Sequence, residues 1–224
     1  MNQSVKIRCF LRPITCLMLG AALLPALQGC VPMVAAGVTT GVLATFDRRS
    51  LGAQTEDESI EWKASSRVNE KFGDKVHINY TSFNRKVLLS GEVPSTEIRA
   101  EVERIVAGVT NVQGTYNELV VGVITPYSAR SNDAYVTSKV KGRFIDAGRF
   151  NVVHVKVVTE GGAVYLLGLV TQREADAAIE VARTTSGVRK VINVMEIISD
   201  AQARELDVPP PEKRKPSAPD AQNG

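Results

Sequence analysis

With 224 residues, 44% of them hydrophobic, the chain has room for one or two small domains. No cysteine lies beyond Cys30, so no disulfide can staple the rest of it, and a small scaffold held by cross-links is excluded. The 27 Lys and Arg residues against 24 Asp and Glu give a formal charge of only +3, which supports no nucleic-acid reading.

In chain order, Lys6, Arg8 and Arg12 come first, with no acidic residue among the first thirty. An apolar run from Ile14 to Leu27 follows, shorter than the ~20 residues of a membrane-spanning helix, in the order of a secretory signal. The run ends in Leu27-Gln28-Gly29-Cys30, which resembles the bacterial lipobox. That resemblance implies cleavage before Cys30 and a diacylglyceryl group on its sulfur. Residues 1–29 then form a lipoprotein signal peptide and 30–56 a lipidated tether. Cleavage also removes three basic residues, leaving 24 against 24 and a neutral mature chain. Val31 is not the aspartate associated with inner-membrane retention, so a lipid anchor on the periplasmic face of the outer membrane is expected.

Beyond the tether the chain repeats itself. "VHINYTSFNRKVLLSGEV" (76–93) aligns without gaps to "VHVKVVTEGGAVYLLGLV" (153–170). "RVNEKF" matches "KVKGRF" upstream, and "VAGVTNV" matches "TSGVRKV" downstream. Ala64, Val68 and Phe72, and likewise Val136, Val140, Phe144 and Ala147, recur at helical spacing and predict a helix opening each unit. Two alternating strands joined by a tight hairpin follow, with Asn84 or Gly161-Gly162 at the turn. A second helix and a last strand close each unit. The order α-β-β-α-β predicts an α+β fold: two tandem domains, 57–123 and 131–199, each a small three-stranded mixed sheet with two helices on one face. Residues 200–224, Pro-rich and polar from Pro209, are expected to be a disordered tail.

The motif V-x-L-x-G-x-V followed by a helix and G-V-x-x-V resembles the BON domain of bacterial envelope proteins. Val87, Leu89, Gly91 and Val93 carry it with Gly108, Val109 and Val112; Val164, Leu166, Gly168 and Val170 carry it again with Gly187, Val188 and Val191. With the lipidated cysteine and the segment "DRRSLGAQTED" (47–57), the layout is similar to that of dual-BON outer-membrane lipoproteins. The resemblance implies anionic phospholipid binding through the first helix of the second repeat, support of outer-membrane integrity, and no catalysis.

The residues themselves add detail. Opposite its core stripe, the helix over about 132–147 carries Tyr135, Ser138, Gly142 and Ile145, flanked by Lys139, Lys141 and Arg143. Apolar groups to insert and cations to meet headgroups are what an interfacial helix needs. The alternative is an adaptor docking on envelope-assembly or cell-wall proteins. His77 and His154 hold matching places, one per repeat, with no metal-ligand spacing around them, so no metal, cofactor or catalytic residue is expected. One asymmetry concerns assembly. The outer face of the second strand reads Leu88, Ser90, Glu92 in the first repeat but Tyr165, Leu167, Leu169 in the second. An apolar sheet face needs cover; packing against the first repeat, the nearest candidate, is expected, and a partner protein is the alternative.

Overall fold

The computed structural model describes residues 47–208. The proposed signal peptide, Cys30 and most of the tether lie outside that range, as does the tail from residue 209.

Each repeat builds the same unit. In the first, α1 (Leu51–Phe72) is followed by β1 (His77–Phe83), β2 (Lys86–Val93), α2 (Thr96–Ala107), β3 (Gly114–Asn117) and β4 (Val120–Val121). In the second come α3 (Tyr127–Ala147), β5 (Val155–Glu160), β6 (Ala163–Val170), α4 (Gln172–Arg183), β7 (Lys190–Asn193) and β8 (Glu196–Ile197). A last helix, α5 (Asp200–Leu206), ends the described chain. The hairpins β1–β2 and β5–β6 are antiparallel, and the returning strands lie parallel to β2 and β6. The two α+β units are therefore mixed sheets with a central second strand.

The final strand of each unit is broken in two. Leu119 and Met195 turn into the helix-side cores, and the side chains of Asn117 and Asn193 accept the amides of Leu119 and Met195 that leave the ladder. One core gathers Ile60, Ala64, Val68, Val87, Leu89 and Val102; the other gathers Val136, Val140, Phe144, Val164, Leu166 and Ala178. Both follow the helical and strand periodicities of the sequence.

The motif glycines have a steric cause. A Cβ on Gly91 would lie 2.2 Å from the carbonyl oxygen of His77, and one on Gly168 would lie 2.2 Å from that of His154. Neighbouring strands approach there as only glycine permits.

The hairpin turns depend on a residue that the repeat pattern does not reveal. Asn84 and Arg85 both have positive φ, as do Gly161 and Gly162. In the first repeat the buried Asp57 carboxylate accepts both turn amides, at 2.8 and 2.7 Å, and in the second Asp133 does so at 2.9 and 2.8 Å. Two charge-assisted bonds hold a left-handed pair that Asn84 and Arg85 would not otherwise favour.

The apolar outer face of the second sheet is covered by the first repeat. Tyr165, Leu167 and Leu169 form one buried cluster with Phe83 and Leu88, and Tyr116, Val158 and Ile192 pack around it. The two sheets thus meet outer face to outer face. Ser90 and Glu92, the polar residues of that face in the first repeat, are buried as well. Polar bridges frame the contact: Lys86 Nζ to Glu196 at 2.7 Å, Asn79 to Glu160 at 2.5 Å, and Lys156 to Glu61 at 3.4 Å.

Two boundaries differ from the sequence reading. Residues 51–56, assigned to the tether, are the first turns of α1, started by the Ser50 hydroxyl accepting the Ala53 amide at 3.1 Å. Residues 200–206, assigned to a disordered tail, are helix α5, opened by a capping box of Ser199 and Gln202. Neither segment has an apolar stripe, so hydrophobic periodicity could not find them.

Candidate functional site

The second turn of α3 carries Asp133, which holds the hairpin turn, and the rest of the helix presents its outer face. Val136, Val140 and Phe144 bury one side, and Phe144 meets Phe150 edge to face with ring centroids 5.0 Å apart. The other side leaves Tyr135 63% and Ile145 65% exposed. Ser138 and Lys141 are exposed between them and Gly142 is half-buried. Lys139 sits 5.3 Å from the Tyr135 ring centroid and donates to the Ser186 carbonyl at 2.6 Å. That bond fixes the ammonium beside the ring.

Arg143 stands apart from this group. Its guanidinium donates to the Val181 carbonyl at 3.1 Å and to the Thr185 hydroxyl at 3.0 Å, closing the C-terminus of α4. Arg143 is thus committed to the repeat's own structure, while the other six residues share one surface.

The chain arrives from its N-terminal side next to this surface. Asp47 and Arg49 line a cavity of about 350 Å³ together with Lys141, Ile145, Phe83 and Val153. Arg49 is held by Asp47 at 2.6 Å and Asp57 at 2.8 Å and lies over the Phe83 ring.

Arg48 fastens the same segment to the second repeat. Its guanidinium bonds Glu174 at 2.7 Å, Asp207 at 2.8 Å and the Leu169 carbonyl at 2.9 Å, with its side chain 3% exposed. Burial opposes the charge on Arg48, but the bonds to Asp207 and Glu174 outweigh it and raise its pKa. For Glu174, burial likewise opposes ionisation, and Arg48 and Thr171 together hold its pKa below the usual carboxylate range. The hydrogen bond from Arg48 does the same for Asp207. His154 is buried beside this group, with Nε2 3.5 Å from Asp207.

His77 has a different setting. Its Nδ1 lies 3.0 Å from Glu92 Oε2, and Glu160 approaches from the second repeat. Burial, assisted by the Glu92 charge, raises the pKa of Glu160.

Sequence reasoning missed Trp62. The only tryptophan in the chain is 72% exposed on α1, among Glu58, Ser66 and Asn69. Its place off the Ile60–Ala64–Val68 stripe was the available signal. Among the described residues, no helix is long and apolar enough to cross a membrane.

The BON domain family model matches residues 57–123 and 132–199. The outer membrane lipoprotein DolP of Haemophilus influenzae is 36% identical over 184 residues, covering 81% of this chain and 94% of the relative. The 21 kDa hemolysin of Actinobacillus pleuropneumoniae is 33% identical, covering 68% of this chain and 79% of that one. The osmotically-inducible protein Y of Escherichia coli is 28% identical, covering 72% and 92%. With both repeats matched and most of its length shared with such a relative, the chain belongs to the BON-domain family, as a tandem-BON outer-membrane lipoprotein of the DolP type.

Proposed function

We propose that the chain is held to the outer membrane by acylated Cys30 and touches anionic phospholipid through the outer face of α3, supporting envelope integrity by binding rather than by catalysis. The observation that carries this reading is the joint exposure of Tyr135, Ile145 and Lys141 on the outer side of one helix, with half-buried Lys139 holding its ammonium beside the Tyr135 ring. An aromatic and an aliphatic group can enter the headgroup boundary while the ammonium groups meet phosphate. The approach of Asp47 beside Lys141 and Ile145 supports it, because a tether arriving there favours contact by that face.

The test uses the chain from Val31 onward, which carries no acyl group, and vesicles with and without phosphatidylglycerol. Lys141→Glu should weaken binding to the anionic vesicles by roughly 1 kcal/mol or more, and the loss should shrink as salt rises. Unchanged binding at low salt would remove α3 from the account. Mass spectrometry of the mature protein tests the anchor, and an unmodified first residue other than Cys30 would end that part of it.

A second reading rests on Trp62. An exposed tryptophan is a common anchor of protein contacts, and its position on α1 suits an adaptor docking on envelope-assembly machinery. Trp62→Ala should then abolish capture of a partner while leaving vesicle binding intact. Capture that survives Trp62→Ala would discard this reading.

A further inference from the structure

The two histidines occupy equivalent places in the repeats, and the structure surrounds each with two carboxylates. At His154 these are Glu174 and Asp207, and the guanidinium of Arg48 lies between them as a built-in cation. At His77 they are Glu92, from the adjacent strand, and Glu160, from the other repeat. Among the described residues, no Lys or Arg forms an ion pair with Glu92 or Glu160.

We propose that His77, Glu92 and Glu160 bind a divalent transition-metal ion, Zn²⁺ by the chemistry of their donors, and that this ion clamps the two repeats together. One ligand atom from each residue lies within 4.8 Å of the other two. Bond lengths of about 2.0–2.2 Å place ligand atoms roughly 3.4 Å apart around tetrahedral zinc, so small side-chain rotations close the site. An imidazole with two carboxylates suits zinc and disfavours magnesium, which prefers oxygen alone.

The neighbours of the ligands fit this use. Glu92 Oε1 accepts the Thr125 hydroxyl, and Glu160 Oε2 accepts the Asn79 amide at 2.5 Å. One oxygen of each carboxylate is thereby oriented by a neutral donor, as outer groups orient metal ligands. His77 and Glu160 border a cavity of about 500 Å³ that gives a cation and its water a way in. Arg130 and Asp133 line the same cavity. The Nε of Arg130 donates to the Thr125 carbonyl at 3.0 Å, and Asp133 is bound to the turn amides of Gly161 and Gly162.

The ion would join β1 and β2 of the first repeat to β5 of the second, beside the apolar contact of the two sheets. Its loss should loosen the junction without unfolding either core.

The experiment titrates ZnCl2 into the full-length protein, purified in detergent and stripped with EDTA, by calorimetry and thermal melting. One Zn²⁺ per chain should bind, and a hundredfold excess over its dissociation constant should raise the melting temperature by about 5 °C or more. Glu160→Gln and His77→Gln, which preserve side-chain size, should each weaken binding at least tenfold. Absence of saturable binding in the unsubstituted protein would overturn the proposal. So would unchanged affinity in both variants, or an equal thermal shift with MgCl2.

Discussion

On α1, Ile60, Ala64 and Val68 are fully buried; on α3, Val136, Val140 and Phe144 take the same role. Each helix also supplies the aspartate, Asp57 or Asp133, that holds its unit's hairpin turn. Their outer faces then part company. One carries Trp62 among Glu58, Ser66 and Asn69, and the other carries Tyr135 and Ile145 with Lys139 and Lys141. Packing fixes only the inner face of a helix, so duplication can keep a scaffold while each outer face acquires its own chemistry. What the repeats share should therefore fail alike when altered, and what they do not share should fail in one repeat only.

The largest expected effects are on the shared scaffold. Gly91→Ala and Gly168→Ala each place a methyl group 2.2 Å from a backbone oxygen. Each should cost about 4 kcal/mol or more in urea unfolding, in the range set aside for severe steric conflict. A cost under about 1 kcal/mol in either would show that the strands can separate there.

Next comes a feature only the second repeat has. Arg48→Ala leaves Glu174 buried without its cation and should cost about 3–5 kcal/mol. The same ion pairs give an acid dependence. The pKa values of Glu174 and Asp207 are depressed in the folded state, so their contribution is complete above the ordinary carboxylate value of about 4. It is lost as pH falls through the depressed values. Arg48→Ala should flatten that part of a stability–pH curve; an unchanged acid limb would assign the dependence to other carboxylates.

A smaller or equal loss, about 2–5 kcal/mol, is expected for Leu167→Ala, which empties the contact between the sheets. Amide exchange should then rise at β1, β2, β5 and β6 on the joined faces while α2 and α4 stay protected. Uniform loss of protection would show that the repeats unfold as one.

The contact between repeats was legible because it leaves a periodic mark: Tyr165, Leu167 and Leu169 alternate with the core residues Val164 and Leu166. The duplication and the glycine motif were legible for the same reason, being local in sequence. Arg48 was not, since its partners Leu169, Glu174 and Asp207 lie more than 120 residues away and a lone arginine in a polar segment has no period. Asp57 and Asp133 were hidden because a buried aspartate on an apolar stripe is explained only by the turn it caps. On α3, the exposed residues could be read from the helical wheel, and Tyr135, Ser138, Lys141 and Ile145 do lie outward. The commitment of Arg143 to Val181 and Thr185 depends on where α4 ends in space, which spacing along α3 does not encode.

The difference between the two outer faces is tested most directly by vesicle binding of the chain from Val31 onward, comparing Tyr135→Glu with Trp62→Glu on phosphatidylglycerol vesicles. Both substitutions replace an exposed ring with a negative charge at equivalent helices, so the net charge change is the same. The account predicts that Tyr135→Glu loses most of the binding and that Trp62→Glu binds as the unsubstituted chain does. Undiminished binding by Tyr135→Glu, or its loss with Trp62→Glu alone, would contradict it.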